Sequence, residues 1–268
     1  MTTSTVADPS KPRYTSRIIK ASALLSDTKI LLNEWDLSLS VGENMARMRE
    51  LNLFGKASRS RIDDILTIFR QRYFDDPAVG RMLVTLTQQG APSGWIDPLL
   101  YFFSAQNDAV LRDIVVEVLY PRMQLGYDDV SMELITRTIR TWVAEEKTTT
   151  TWGDKTILRV AQNALAALRD FGILQGKARK RIKPFYLPTP AFVLTAHWLQ
   201  DRLRSGERVV HSDDWKLFFL SVDGVERFFI EAHQEHLLSY QAAGSVVRID
   251  FPTNDLVEYA HVLIEGTY

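Results

Sequence analysis

The sequence predicts a mostly α, multi-helix globular fold with two helix-turn-helix elements, the second winged, and minor β structure near the C-terminus. Three observations carry this expectation. Apolar residues recur at helical spacing along most of the 268-residue chain. Ser, Thr or Asp before such runs, and Gly or Pro after them, supply the starts and stops of helices. Strict alternation is confined to Val247, Ile249 and Phe251.

The elements follow in order. Residues 1–16 read as a flexible polar leader without the apolar core of a signal peptide. Ser26 is the expected cap of a short helix over Thr28 to Trp35. Glu43 to Leu51 comes next, with Met45, Met48 and Leu51 as its apolar side, and a break follows at Asn52 to Ala57. Ser58 or Ser60 opens a helix whose stripe is Ile62, Ile65, Leu66, Phe69 and Tyr73, leaving Arg59, Arg61, Arg70 and Arg72 largely outside. This is the first helix-turn-helix candidate, with Arg59 and Arg61 as its nucleic-acid contacts. Asp63 and Asp64 dilute its charge, and paired helices of this kind also occur in ordinary bundles.

Pro77, Gly90, Pro92 and Gly94 keep the helices at Ala78 to Gln88 and Pro98 to Ser104 short. Asn107 or Asp108 caps a longer, buried helix that Pro121 ends near Leu119. Ser131 to Glu145 braces the next helix from behind. The turn Thr148 to Thr151 is either a plain polar turn or a set of hydroxyls for phosphates.

Trp152 to Leu187 is the most informative stretch. Asp154 is expected to accept first-turn amides, and Ile157, Val160, Ala161, Ala164, Leu165 and Leu168 line one face of the helix. The other face carries Lys155, Thr156, Arg159, Gln162, Asn163 and Arg169, all suited to phosphate oxygens or base edges. Gly172 stops the helix in a left-handed conformation. Ile173 and Leu174 start an extended segment, Lys177, Arg179, Lys180, Arg181 and Lys183 follow, and Phe185 to Leu187 is the expected return strand of a wing.

Beyond it, Thr189 before Pro190 starts a helix that Gly206 closes. A second lobe is expected from there, reading helix (Ser212 to Leu220), helix (Val222 to Ala243), strand (Ser245 to Phe251) and helix (Asp255 to Ile264). The expected division is therefore a leader (1–16), an N-terminal helical region (17–125), a winged region (126–206) and an acidic C-terminal lobe (207–268).

Charge separates these regions. From Lys155 to Lys183 eight bases face one acid, a net +7, whereas Glu207 to Tyr268 holds eleven acids and four bases, a net −7. The overall −1 thus hides a dipolar chain, and a basic segment with helical and extended parts points to nucleic acid. A solvated charged loop is the plainer reading of the same residues.

The segments SRIIKASALLSDTKILLNEWD and LNLFGKASRSRIDDILTIFRQRYF, and Trp152 to Thr156 followed by AQNALAALRDFGIL and PFYLP, together resemble the BrxA family of BREX bacteriophage-defence systems. The likeness covers most of the chain to about Arg204, through the order and spacing of blocks. It implies an all-helical, non-enzymatic DNA-binding component with two helix-turn-helix elements, working alongside a methyltransferase and ATPases in self versus non-self discrimination.

Composition sets further bounds. The chain has no cysteine, so disulfides and thiolate zinc sites are excluded, and a reducing cytoplasm fits. Its most apolar windows, Pro98 to Phe103 and Ile114 to Tyr120, fall far short of the roughly 20 residues of a membrane span. His233 and His236 lie three apart near Glu231 and Glu235, but the HExxH order and a third ligand are missing, so no metal site is expected. No Walker A, G-x-G-x-x-G or G-x-S-x-G element occurs, and no catalytic residues and no cofactor are expected. Asp213 and Asp214 read as first-turn acids. The aromatics Trp215, Phe218, Phe219, Phe228 and Phe229 read as core, with a protein-docking surface as the alternative.

The sequence reading is thus a cytoplasmic, non-enzymatic binder of double-stranded DNA, a monomer when alone, with other BREX proteins as possible partners. The same charges also suit structured RNA, or a scaffold whose helix-turn-helix elements dock proteins.

Overall fold

The computed structural model describes residues 14–20, 22–53, 55, 58–244 and 246–266. Residues 1–13 of the expected leader lie outside them, as do Phe54, Lys56 and Ala57 of the expected break and Ser245 of the expected strand. The helices in chain order are α1 (Leu25–Asn33), α2 (Val41–Leu51), α3 (Arg59–Tyr73), α4 (Pro77–Gln88), α5 (Ser93–Asn107), α6 (Ala109–Asp113), α7 (Tyr120–Gln124), α8 (Met132–Ala144), α9 (Asp154–Asp170), α10 (Thr189–Leu203), α11 (Gly206–Val210), α12 (Val222–Gln234) and α13 (Leu256–Glu265). The strands are β1 (Asp129–Val130), β2 (Leu174–Gln175), β3 (Lys180–Ile182), β4 (Ser239–Ala243) and β5 (Val246–Asp250). The fold is mostly α, as expected, with two small antiparallel sheets among the described residues.

The chain divides into two compact units, neither continuous in sequence. Unit 1 joins Met1–Ala23 to Ser104–Phe185, and unit 2 joins Leu24–Phe103 to Tyr186–Tyr268. This differs from the four consecutive regions read from composition, because each unit is defined by packing between distant segments that local composition does not register.

Unit 1 is anchored by Tyr14. Its ring is fully buried and stacks on Trp142 at 4.4 Å, and its hydroxyl donates to Asp113 Oδ2 at 2.7 Å. Its backbone N–H donates to the Lys147 carbonyl, and its carbonyl accepts from the Thr149 N–H, both at 2.9 Å. The described end of the expected leader is therefore core, and Ile18 in the following 3-10 turn, Ser16–Ile19, is buried too. Asp108 caps α6 through the amides of Val110 and Leu111, as expected. Pro121, expected to end that helix, does not. A π-helical stretch, Ile114–Leu119, leads into α7 with Pro121 in its first turn. Proline lacks an amide hydrogen and crowds the carbonyl four residues back, and the wider π turn gives the ring room.

Unit 2 packs α13 on α4, with Leu256, Tyr259 and Leu263 buried on one helix and Val79, Leu83 and Leu86 on the other. Around α10, Phe192 stacks on Trp215 at 4.6 Å and on Phe228 at 4.8 Å, and meets Phe229 edge-on at 4.9 Å. Of the C-terminal aromatics, Trp215, Phe218 and Phe229 are thus core, as the spacing suggested, while Phe219 and Phe228 are half-buried.

Several local expectations for unit 2 are corrected. α1 starts at Leu25 behind a left-handed Leu24, not at a Ser26 cap. Leu51 is 55% exposed while Arg72 is buried at 7%, so the α2 stripe is narrower and the α3 stripe wider than read. Pro98 sits inside a full-length α5 rather than in a short helix. The Thr189 hydroxyl donates to Glu231 Oε1 at 3.2 Å while Pro188 holds the cap position of α10. Gly206 opens α11 instead of closing α10, and a Cβ there would come within 2.4 Å of the Val247 carbonyl oxygen. The helix read over Val222 to Ala243 stops at Gln234. His236 turns left-handed (φ 60°), the Leu237 N–H closes on the Ala232 carbonyl at 2.9 Å, and Ser239–Ala243 pairs with β5.

Among the described residues no helix is long and apolar enough to cross a membrane, and no group of three or more His, Cys, Asp or Glu side chains is placed to hold a metal ion.

Candidate nucleic-acid interface

The +7 segment lies wholly in unit 1. α9 is seated against α8, α6 and the Ser16–Ile19 turn, and buries Ile157, Val160, Ala161, Ala164, Leu165 and Leu168, the stripe read from the sequence. Ser131 caps α8 by accepting from the Leu134 amide at 3.0 Å. Between the helices, Thr148 is buried and bridged to Tyr14, so it is a structural residue and not a phosphate contact; Thr149, Thr150 and Thr151 are exposed.

The start of α9 differs from expectation. Gly153 holds the cap position, and Asp154 accepts no first-turn amide; its Oδ1 instead accepts from Arg140 Nη2 at 3.0 Å. The stop is as expected. Gly172 is left-handed (φ 82°), its N–H donates to the Arg169 carbonyl, and the Ile173 N–H donates to the Leu168 carbonyl, both at 2.9 Å. This double closure satisfies two of the helix's last carbonyls.

The hairpin that follows pairs Leu174 with Ile182 and Gln175 with Arg181. The return strand is thus Lys180–Ile182, and Phe185 to Leu187 is not a strand. The turn closes early because Gly176 (φ 91°) lets the backbone fold on itself, where a Cβ would sit 2.1 Å from the Arg179 carbonyl oxygen. A third strand, unforeseen in two residues, completes the sheet: β1 pairs with the other edge of β3, giving the order β1-β3-β2. The hairpin is therefore held on both sides of its second strand.

The basic side chains differ in availability. Lys155, Arg159, Lys177, Arg179 and Lys183 are exposed and make no side-chain hydrogen bond or ion pair among the described residues. Lys180 Nζ donates to the Lys177 carbonyl at 2.9 Å, Arg181 reaches Asp128 Oδ2 at 3.5 Å, and Arg169 pairs with Asp170 at 2.7 Å. Asn163 Nδ2 donates back to the Arg159 carbonyl at 2.8 Å, and Thr156 is half-buried. Leu158, outside the stripe and missed from the sequence, is 43% exposed between Lys155 and Gln162 on the outward face.

The first helix pair lies in unit 2. Ser40 and Glu43 form a reciprocal capping box at the start of α2, and the buried Asn44 amide is tied to Asp36 through both its backbone groups. Arg49 pairs with Asp63 at 2.6 Å between α2 and α3. Arg59 is exposed at the start of α3, Arg61 is half-buried and engaged, and Arg72 is buried. Of the arginines read there, Arg59 and Arg70 are the two that are exposed.

The model of the BrxA family matches residues 12–197, more than half of the chain. The chain belongs to the BrxA family. BrxA membership points to a component of BREX phage defence. No curated protein matches the chain. An uncharacterized protein from Magnetospirillum magneticum, known from a crystal structure, is similar with a TM-score of 0.59 and 13% identity, over 77% of this BrxA-family chain and 98% of that one. At that identity the likeness is one of fold.

Proposed function

We propose that this chain is a non-enzymatic, double-stranded DNA-binding component of a cytoplasmic BREX system, a monomer when alone. α8 and α9 act as a helix-turn-helix, and the β2–β3 hairpin as its wing. The observation that carries this is the set of five unpartnered cations, Lys155 and Arg159 on α9 and Lys177, Arg179 and Lys183 on or beside the hairpin, on elements fixed by a buried stripe and a three-stranded sheet. Cations of one sign, carried on a fixed helix and an adjoining ribbon, suit the paired phosphate rows of a duplex. Arg159 and Gln162 reach toward base edges, and Leu158 offers an apolar contact to a thymine methyl. Lys180, Arg181 and Asn163 stay near the interface but are partly committed to internal bonds. Arg59, exposed in unit 2, is a separate candidate phosphate contact, apart from the five cations of unit 1. Other BREX proteins are the natural partners of such a component.

Fluorescence anisotropy with a labelled DNA duplex tests the reading, with an RNA duplex of the same sequence as competitor. Binding to DNA, weakened by Arg179→Glu with Lys183→Glu and poorly displaced by RNA, is the expected result, because the narrow major groove of A-form RNA does not admit α9. No DNA binding at low salt refutes it.

A further inference from the structure

We propose that a groove in unit 2 binds an extended, proline-containing peptide segment of a partner protein that carries a lysine or arginine beside its prolines. The groove encloses about 570 Å³. Its walls are the rings of Trp95, Tyr186 and Tyr259 together with Pro188, Pro190 and Pro252.

The aromatic rings favour this occupant. Tyr186 is 82% exposed, the highest value among the described large apolar side chains. Neither Tyr186 nor Trp95 has a side-chain hydrogen bond or ring partner among the described residues. An indole N–H and a phenol at a wet, apolar-walled groove suit a ligand that is greasy on one side and offers carbonyls on the other. A polyproline II segment is such a ligand: it repeats every three residues, makes no internal hydrogen bonds, and packs its rings between aromatic side chains. The floor offers a small polar metabolite little, since the Tyr259 hydroxyl already donates to the Leu237 carbonyl at 2.8 Å.

Charge selects the flanking residue. Glu235 lines the groove, is exposed, and makes no ion pair, and no lysine or arginine lines the groove, among the described residues. The surrounding stretch from Glu207 onward carries the net −7. A cation next to the prolines is therefore attracted, and phosphate-bearing ligands are repelled. His236 holds the rim in a left-handed conformation (φ 60°) where glycine is the usual choice, which keeps a side chain at the groove.

The test is anisotropy of a short labelled peptide, with proline at every third position and an arginine at one end, titrated with the full chain. Saturable binding is expected, weakened about tenfold by Tyr186→Ala. Glu235→Lys is expected to weaken the arginine peptide and strengthen one in which glutamate replaces the arginine. Both positions are exposed, and an unchanged circular dichroism melt confirms that the variants fold. Absence of binding at millimolar peptide, or binding that Tyr186→Ala leaves unchanged, overturns the proposal. Binding that responds to Tyr186→Ala but not to Glu235→Lys overturns its charge selectivity.

Discussion

Neutralising the hairpin cations should flatten the salt dependence of DNA binding by a predictable amount. Each phosphate neutralised lowers log affinity by about 0.9 per decade of salt. Five cations, Lys155, Arg159, Lys177, Arg179 and Lys183, are exposed and uncommitted among the described residues of the +7 segment. If each meets one phosphate, the slope is about −4.5, a loss of about 500-fold between 50 and 200 mM salt. Replacing Lys177, Arg179 and Lys183 with alanine leaves two contacts, a slope of about −1.8 and a loss of about 12-fold over the same range. Lys180→Ala and Arg181→Ala should each change the slope by less than the roughly 0.9 of a full contact, because Lys180 is held by the Lys177 carbonyl and Arg181 lies near Asp128. Anisotropy against one duplex over a salt series measures all of these. A triple variant with the wild-type slope would show that the hairpin does not touch phosphates, even if the protein binds DNA.

Three further outcomes follow from the packing. Gly176→Ala forces a Cβ into the Arg179 carbonyl and should cost about 1–3 kcal/mol, seen as faster hydrogen exchange at the Lys183 amide, which donates across the hairpin to the Ile173 carbonyl; unchanged protection would mean the turn has another way to close. Tyr14→Ala removes a fully buried ring stacked on Trp142 and should cost about 3–5 kcal/mol in urea unfolding, with Tyr14→Phe costing about 1–3 kcal/mol through the lost bond to Asp113; a Tyr14→Phe variant as stable as the wild type would deny the hydroxyl a role. Burial holds His197 below its ordinary 6.5, against the opposing pull of its bond to the Thr253 carbonyl and of Asp201 and Asp255. The folded state thus binds that proton less readily than the unfolded chain, so the His197 contribution is whole above pH 6.5 and is lost as pH falls through the lowered value. Asp36, Glu43 and Asp255 are also lowered, from 3.8, 4.5 and 3.8, so their losses come at more acidic pH. Urea midpoints from pH 7 to about pH 5 should fall for the wild type and level off for His197→Gln.

What the sequence made legible was local and periodic. The α9 stripe could be read because a helix buried on one face must repeat at 3.6 residues, and Gly172 because few other residues enter a left-handed cap cheaply. Strand partners were harder. β1 is two residues long, and its pairing with β3 is set by contacts some fifty positions apart. The hairpin register was misplaced because the deciding feature, the approach of Gly176 to the Arg179 carbonyl, is a backbone distance with no periodic trace. The first strand of the C-terminal hairpin, Ser239–Ala243, reads as helix because Val222 to Gln234 is strongly amphipathic and the stop depends on a histidine, not a glycine, turning left-handed, whereas the alternation at Val247 and Ile249 does show the second strand. The charges were visible as a sum, but which cations are already engaged depends on partners such as Asp128 and the Lys177 carbonyl.

The interleaving of the two units has a consequence for how the protein is made. As the chain leaves the ribosome, Tyr14 emerges long before Asp113, Trp142 and Thr148, so unit 1 closes only after residues 24–103 have passed through. Those residues must wait longer still, since the apolar face of α4 finds α13 only after Leu256–Glu265 has emerged. A nascent chain halted near Gly206 would therefore display Val79, Leu83 and Leu86 uncovered, a marked target for chaperones and proteases. Emergence of α13 is thus the step that covers this face.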